Sequence, residues 1–322
     1  MDNSLTRILV NGLTSSPKFI PTWYNYDEVG SELEHKCVME NPGYYFAKSQ
    51  MSVLRDNIES IIPSVPYELT LVDLGSGNCS KTRLVIDELL KRQHKLKFYP
   101  VDISKDFLLK SMKKLSEEYD NEVEITPIAA DYVQGIEELG KVVKGPKLIL
   151  WFGSIINMSY DEQVNTLKMI STVMTNRCAL LFSADITQDR PTILAAYNDK
   201  EGLEQRFVQH AITRLNNEHG SQIDLKMFTF HVDFISDTSS NRMSYVRNYI
   251  QAKRDILSAI PGLGIQLHMK KGERLYFHEG TGFSCKYTLE QLENIVDKAG
   301  LCLADTVTDE NQHAIFCHCN VV

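Results

Sequence analysis

The sequence predicts an α/β fold with a mostly parallel sheet, covered by helices on both faces and closed by an antiparallel end strand. From residue 69 onward, apolar runs of strand length alternate with stretches of helical pattern. The strand-like runs are LTLVDLG, KFYPVDIS, VEITPIAAD, KLILWFG and ALLFSADI. Continuous apolar strands separated by helices are typical of βαβ units, whose parallel sheet is buried on both faces.

Helical stretches separate these runs along the chain. They read SKTRLVIDELLKRQ, KDFLLKSMKKLSEEY, VQGIEELGKVV and DEQVNTLKMISTVM, and we expect right-handed crossovers through them. Later in the chain, YTLEQLENIVDKAG has the pattern of an amphipathic helix. The runs LCLADTVTD and HAIFCHCNVV follow it and predict the antiparallel hairpin that closes many α/β sheets.

Two regions interrupt this alternation. The first 60 residues are rich in aromatic side chains and show no strand pattern, but GSELEHKCVM predicts a short helix capped by Ser31, and QMSVLRDNIESII predicts an amphipathic helix. Residues 187–260 predict two helices followed by a strand, a turn and a strand. After them, IQLHMKKGERLYFHEG predicts a hairpin that turns at Lys271 and Gly272.

Composition excludes several classes of protein. The 322 residues are 43% hydrophobic and 24% charged, which is typical of a globular protein. The net charge of -8 argues against a nucleic-acid partner. No apolar run reaches the length of a membrane span, and the pattern of a signal peptide is missing. The seven cysteines are scattered, so we expect reduced thiols in a cytoplasmic protein.

One cluster consists of residue types that can bind a metal ion: Cys317, His318 and Cys319. A zinc site would need a second ligand pair at a suitable spacing, and the sequence offers none. The segment fits an alternating strand better, and we expect no metal.

A glycine turn follows the first predicted strand in LVDLGSGNCS. Glycines at the carboxyl end of a strand let the backbone approach a ligand closely, and the next helix offers its free N–H groups. Gly75 and Gly77 fit the dinucleotide pattern G-x-G-x-x-G, but Ser80 stands at its third position. A phosphate-binding loop is excluded, because no G-K-[ST] follows.

Acidic residues follow the next two predicted strands. Asp102 ends PVDIS, where a carboxylate can accept hydrogen bonds from the hydroxyls of a ribose. Asp131 and Tyr132 end AADY, where they can bind and cover an adenine. Ligands of open α/β sheets bind at this carboxyl edge. The pattern favours a nucleoside without phosphates, such as S-adenosylmethionine (SAM), although glycine turns and helix-capping aspartates also occur in α/β proteins without such a site.

The sequence resembles the SAM-dependent histidine Nα-methyltransferases of ergothioneine biosynthesis and their fungal relatives that act on tryptophan or dimethylallyltryptophan. The shared segments are YDEVGSELE, PGYY, DLGSGNCSKTR, VDIS, GSIINMS, AAYNDKEG and FSCKY, and the resemblance runs over nearly the whole chain. The resemblance implies a class I SAM-dependent methyltransferase core (Rossmann-like) over residues 61–196 and 286–322. It also implies a smaller α+β substrate-binding domain over residues 1–60 and 197–285. The implied cofactor site consists of Gly75, Ser76, Gly77, Lys81, Asp102, Ile103, Asp131 and Tyr132.

The resemblance also implies a substrate site. In the family, an asparagine and a tyrosine hold the carboxylate of the amino acid, and they match Asn157 and Tyr197 here. Two further tyrosines line the amine and match Tyr26 and, across a one-residue insertion, Tyr44. Aromatic rings suit an amine that becomes a quaternary ammonium, because cation–π attraction needs no proton on nitrogen. Helix capping by Asn157 and core packing of the tyrosines are the alternatives.

One position departs from the histidine-specific members. They hold the imidazole with a glutamate and a serine, but TGFSCKY retains Ser284 and places Gly282 where the glutamate would stand. The tryptophan-type relatives also lack this acid. Glu279 could reach the place only in a rearranged loop, so the resemblance leaves the identity of the substrate open.

These features together predict a SAM-dependent N-methyltransferase that acts on the α-amino group of a free amino acid. Histidine, tryptophan and related aromatic amino acids are the candidates, with products up to the trimethylated betaine. Two alternatives stay open: an N-methyltransferase of another small-molecule amine, and a catalytically idle SAM-binding homologue. We expect a monomer with a small-molecule substrate and with neither a nucleic-acid nor a membrane partner.

Overall fold

The computed structural model describes residues 3–279 and 283–321. The chain divides into two compact units. The smaller unit consists of Met1–Tyr44, Asp189–Ser236 and Tyr245–Ser284. The larger unit consists of Tyr45–Gln188, Asp237–Ser244 and Cys285–Val322. Each unit therefore combines segments that are distant in sequence.

The described helices are α1 (Asn3–Thr14), α2 (Glu28–Glu40), α3 (Phe46–Ile61), α4 (Ser80–Leu90), α5 (Lys105–Tyr119), α6 (Tyr132–Val142), α7 (Tyr160–Thr172), α8 (Arg190–Tyr197), α9 (Leu203–His219) and α10 (Leu289–Lys298). The described strands are β1 (Lys18–Phe19), β2 (Thr70–Leu74), β3 (Leu96–Asp102), β4 (Val123–Ile125), β5 (Ile128–Ala129), β6 (Lys147–Phe152), β7 (Ala179–Asp185), β8 (Phe228–Ile235), β9 (Ser244–Ala252), β10 (Ile256–Ile260), β11 (Ile265–Met269), β12 (Arg274–Tyr276), β13 (Phe283–Lys286), β14 (Leu301–Thr308) and β15 (Ala314–Val321).

The larger unit contains the predicted sheet. Its strand order is β14-β15-β7-β6-β2-β3-β4, and β5 also pairs with β3. The strands from β2 to β7 run parallel, whereas β15 is antiparallel to both β7 and β14. This order confirms the mostly parallel sheet and its antiparallel end. The apolar runs form strands because both faces are covered, and all residues of β6 and β7 are buried.

One predicted strand differs in detail. VEITPIAAD forms two short strands, β4 and β5, instead of one. Pro127 lies between them and has no N–H to donate to the neighbouring strand, so the ladder is interrupted there. The break leaves β5 in register with the end of β3, where Asp102 pairs with Ala129.

The smaller unit contains a second sheet in the order β1-β12-β9-β13, with β8 also paired to β9. Helix α9 packs on α2, and the core beside this sheet includes Leu13, Phe207 and Ile250. Helix α1 was not predicted. It forms because Leu9 and Leu13, four residues apart, share a face that is buried in this core.

Two local predictions in the smaller unit are wrong. Asp27, not Ser31, caps α2, and its side chain accepts a hydrogen bond from Gly30 N–H at 2.7 Å. The chain turns at Lys271 and Gly272, where Glu273 N–H donates to the carbonyl of Lys270 at 2.9 Å, but the predicted hairpin does not form across this turn. Strand β11 instead pairs with β10, and β12 pairs with β9. A tight turn with Gly264 in the left-handed region (φ 66°) joins β10 to β11 and sets this pairing.

Candidate active site

The glycine turn lies where β2 ends. Gly75 has a φ of 76° and Gly77 a φ of 52°, which a residue with a side chain adopts only with strain. A Cβ atom on Gly75 would lie 2.6 Å from Ser154 Oγ and 3.0 Å from the Tyr132 hydroxyl. A Cβ atom on Gly77 would contact no described atom within 4 Å. Gly75 is therefore required by both space and backbone, and Gly77 by the backbone alone.

Asp102 stands beside this turn, at the carboxyl end of β3. Its Oδ2 accepts a hydrogen bond from Gly77 N–H at 3.0 Å, and its Oδ1 accepts one from Ser104 N–H at 2.9 Å. Burial raises the pKa of the carboxyl above its usual value, and these N–H donors oppose that shift. Both oxygens are held in place by the backbone, and each keeps a lone pair for a ligand hydroxyl.

Ile103 follows Asp102 and presents an apolar side chain to solvent, with 43% of its surface exposed. Val133, after the next strand of the edge, is 49% exposed. Single exposed apolar side chains are common on proteins. These two flank the edge where the sequence predicts a nucleoside.

Asp131 and Tyr132 take separate directions at the start of α6. Asp131 caps the helix and accepts a hydrogen bond from Gln134 N–H at 2.9 Å. The Tyr132 side chain reaches back over the strand ends, where its ring meets Trp151 edge-on at 5.9 Å. Burial raises the pKa of Tyr132 to about 12, and contact with the Ser154 hydroxyl opposes that shift.

Lys81, in the first turn of α4, lies in a polar chain within the larger unit. Its Nζ donates to Gln50 Oε1 at 3.0 Å, and Gln50 Nε2 donates to Ser183 Oγ at 2.6 Å. If residue 153 carried a Cβ atom, that atom would lie 3.1 Å from Gln50 Nε2. Sequence analysis missed Gln50, because it stands on α3, 31 residues before Lys81, in a stretch without a motif.

Asp73 is a further acid at this edge that the site prediction left out. It is 2% exposed and accepts a hydrogen bond from the Thr82 hydroxyl. Burial raises the pKa of Asp73 to about 6, against the effects of Thr82 and Lys81. A carboxylate within the apolar run LVDLG was the signal that could have added it.

Asn157 ends a short 3-10 helix, Ser154–Asn157, which follows β6. Helix α7 is capped by Ser159, whose hydroxyl and Glu162 form a capping box, so Asn157 is not the cap. Among the residues that the structure describes, none forms a hydrogen bond with the Asn157 amide. The side chain is half-buried and keeps two N–H donors for a ligand.

The smaller unit brings three of the predicted substrate residues together. The Tyr197 hydroxyl, at the end of α8, is hydrogen-bonded to Ser284 Oγ, and both residues are buried. The Tyr44 ring meets the Tyr197 ring edge-on, with the centroids 6.0 Å apart. Ser284 has a φ of 49°, which is unusual for a residue with a side chain. Three segments distant in sequence thus converge on one polar and aromatic cluster.

The backbone before Tyr44 is fastened to α8. Asn41 Nδ2 donates to the carbonyl of Ala196 at 2.8 Å, and Gly43 N–H donates to Asn41 Oδ1 at 2.8 Å. A Cβ atom on Gly43 would lie 2.7 Å from the carbonyl oxygen of Ala195. Glycine is needed there, because any side chain would push the Tyr44 segment away from the helix.

Tyr26, also in the smaller unit, packs against helix α9. Its ring packs edge-on against Phe207, with the centroids 5.6 Å apart. Asp27, the next residue, caps α2 by accepting a hydrogen bond from Gly30 N–H. It also accepts a 2.8 Å hydrogen bond from His210 when the ring carries a proton on Nε2. Burial raises the pKa of Asp27, but these two contacts lower it below its usual value overall. They fix the backbone next to Tyr26.

The substituted substrate position, Gly282, lies outside the described residues. Glu279, considered as a replacement acid, accepts a 3.0 Å hydrogen bond from Thr22 N–H. A different acid is buried in the smaller unit. Glu204 is 4% exposed and accepts a 2.9 Å hydrogen bond from Asn248 Nδ2. Burial raises the pKa of Glu204 to about 8, and Glu34 and Asp199 add to the shift.

The segment with Cys317 and Cys319 forms β15, as predicted, and both thiols are buried on one face of the strand. Within residues 3–279 and 283–321, no group of three or more histidine, cysteine or acidic side chains could hold a metal ion. Over the same residues, no helix is long and apolar enough to cross a membrane.

Known proteins are similar in sequence to this chain over most of its length. A histidine N-alpha-methyltransferase of Mycolicibacterium smegmatis is 27% identical over 300 residues, which cover 92% of this chain and 89% of that protein. A 4-dimethylallyltryptophan N-methyltransferase of Epichloe festucae var. lolii is 23% identical over 98% of this chain and 94% of its own. A solved SAM-dependent methyltransferase of Clostridium acetobutylicum, 10% identical, aligns with a TM-score of 0.44 over 91% of this chain and 98% of its own.

The family profile described as "Histidine-specific methyltransferase, SAM-dependent" matches residues 5–321, nearly the full length of the chain. This match confirms the resemblance and SAM as the cofactor, and the sheet order agrees with the class I methyltransferase fold. The chain therefore belongs to the family of histidine-specific, SAM-dependent methyltransferases.

Proposed function

We propose that this enzyme transfers the methyl group of SAM to the α-amino nitrogen of a free amino acid. The family and the relatives that act on histidine and on 4-dimethylallyltryptophan support this reaction. One observation carries the proposal for this chain. No described residue forms a hydrogen bond with the side-chain amide of Asn157, in the short 3-10 helix that follows β6. Its N–H groups are suited to the carboxylate of an amino acid, as the family resemblance implies.

The residues at the carboxyl edge of the larger sheet fit SAM. In this proposal, the two Asp102 oxygens accept the ribose hydroxyls, and Gly75 and Gly77 leave the backbone accessible to the methionine part. Ile103 and Tyr132 border the adenine, and Asp131, Ser76 and Lys81 complete the site. Bound SAM supplies a methyl group activated by a sulfonium. Asp102 and Asp73 place negative charge at the edge that receives this positively charged cofactor.

The residues of this chain act mainly by orientation. The α-amino nitrogen attacks the methyl carbon, the carbon–sulfur bond breaks, and its electron pair stays on sulfur. The amine must be neutral to attack, so its ammonium form first releases a proton to solvent, and each further transfer again requires the loss of one proton. Asn157 and Tyr197 hold the carboxylate, and Tyr26 and Tyr44 direct the nitrogen. Such positioning supplies a large part of the rate in reactions of this type.

Aromatic amino acids, with histidine and tryptophan foremost, are the proposed substrates. The family resemblance implies that Ser284 contacts a polar side chain of the substrate, whereas a glycine at position 282 has no carboxylate to pair with an imidazole. Tyr26 and Tyr44 also attract a quaternary ammonium, which supports repeated transfer up to the trimethylated betaine. The monomeric state and the cytoplasmic location stay predictions.

A direct binding test separates this function from its alternatives. Isothermal titration with amino acids and with their decarboxylated amines, in the presence of S-adenosylhomocysteine (SAH), should show binding of the amino acids only. Equal binding of the amines would contradict the role of Asn157 and Tyr197 and favour a methyltransferase of another amine. SAH binding with no transfer to any candidate would favour the idle homologue.

A further inference from the structure

A buried ionic cluster lies at the carboxyl end of β7, outside the residues that the proposed reaction uses. Lys286 Nζ lies 2.9 Å from Asp185 Oδ2, and the side chains of both residues are fully buried. The Tyr45 hydroxyl donates to the same oxygen at 2.8 Å. Asp185 Oδ1 accepts a hydrogen bond from Thr187 N–H at 2.9 Å. The carboxylate is therefore bonded on both oxygens.

The segment Cys285–Tyr287 makes further contacts around this cluster. Tyr287 N–H donates to the carbonyl of Asp185 at 2.9 Å, so the segment is tied to β7 by its backbone as well. The Cys285 thiol donates to the carbonyl of Met158 at 3.6 Å, and the Tyr287 hydroxyl donates to the carbonyl of Ile155 at 3.4 Å. One segment thus contacts both the end of β7 and the short helix that ends in Asn157.

Residues that make these contacts lie beside predicted substrate residues in the sequence. Tyr45 follows Tyr44 directly, and Met158 follows Asn157 directly. Lys286 stands two residues after Ser284 on β13. We propose that Lys286, Asp185 and Tyr45 are positioning residues, which fix the stretches of chain that directly adjoin Tyr44, Asn157 and Ser284. This inference rests on the proposed function.

The chemistry of the cluster supports a role in positioning. Burying an ion pair costs much of the energy that the attraction returns, and apolar residues of the same volume are often as stabilising. A carboxylate that receives three hydrogen bonds, from Lys286, Tyr45 and Thr187, fixes direction as well as distance. Apolar packing would hold these three segments together without fixing where their neighbours lie.

The test uses Tyr45→Phe, which removes one hydrogen bond and leaves the ion pair intact. We expect the KM for the amino acid to rise about tenfold, as for loss of one hydrogen bond to a charged group, while SAH affinity stays within about twofold. Tyr119→Phe is the matched control. The Tyr119 hydroxyl donates to Asp87 Oδ1 at 2.7 Å within the larger unit. Its loss should leave the KM unchanged.

A second variant, D185N/K286M, removes both charges together, so that neither is left buried without its partner. It should fold, retain SAH binding in titration calorimetry and raise the KM more than Tyr45→Phe does. The inference is wrong if both variants keep the KM of an active wild-type enzyme, or if SAH affinity falls as much as amino-acid affinity. A wild-type enzyme that methylates no amino acid would overturn the proposed function, and this inference with it.

Discussion

Replacing Glu204 by glutamine should remove a pH dependence from the stability of the protein. Glu204 is buried beside Asn248, which donates to it from Nδ2. Asn248 Oδ1 is also buried and has no hydrogen-bond partner among the described residues. A protonated Glu204 can donate its O–H to that oxygen, whereas an ionised Glu204 cannot. The acids nearby, Glu34 and Asp199, also disfavour the ionised form.

The magnitude follows from the shift of the pKa. Burial raises the pKa of Glu204 from 4.5 to about 8. Between these two values, the folded protein holds a proton that the unfolded chain has released. The free energy of unfolding should therefore be highest at low pH and fall as the pH rises from about 4.5 to about 8. A difference of about 3.5 units corresponds to about 5 kcal/mol in total.

Urea unfolding at several pH values, followed by circular dichroism, measures this effect. Glu204→Gln keeps the shape and the hydrogen bonds but has no proton to lose. It should match the wild type near pH 4.5 and exceed it by several kcal/mol near pH 8. Glu201→Gln, at an exposed acid three residues earlier, controls for the loss of charge. A difference between Glu204→Gln and wild type that is the same at every pH would refute the reasoning.

Three further substitutions test the active site. Gly75→Ala should weaken SAH binding and lower Tm more than Gly77→Ala, because only the first adds a clash at 2.6 Å to the cost of a positive φ, as titration and melting curves will show. Asn157→Ala should raise the amino-acid KM about tenfold with SAH affinity unchanged, whereas Ser159→Ala, which removes the cap of α7, should cost only about 1 kcal/mol of stability. Asp102→Asn should weaken SAH binding about tenfold in titration calorimetry while the amino-acid KM stays the same.

The fold of the larger unit could be predicted, because its central strands β2, β6 and β7 are buried on both faces and leave apolar runs in the sequence. Helices between such runs imply parallel pairing, and the pairing places Gly75 and Asp102 at one edge. The smaller unit was predicted less well. Its strands are partly exposed, and β12 pairs with β9 rather than with its neighbour β11. That choice depends on a turn elsewhere in the chain.

The candidate site shows the same division. Motif residues such as Gly75 stand beside recognisable strand ends, so their place at the edge of the sheet could be predicted. Gln50 and the Lys286–Asp185 pair act through contacts between segments that are far apart along the chain. No local pattern identifies such contacts. The convergence of Tyr44, Tyr197 and Ser284 could be expected from the family resemblance, whereas the bond between the two hydroxyls required the structure.

The central claim is that this enzyme methylates the α-amine of a free amino acid. The most direct measurement incubates the enzyme with SAM and each proteinogenic amino acid and follows the products by mass spectrometry. The account predicts an aromatic amino acid whose mass increases by one to three methylene units, together with stoichiometric release of SAH. Fragmentation should place every added methyl group on the α-nitrogen. Methylation of the side chain, or transfer only to amines without a carboxylate, would contradict the claim.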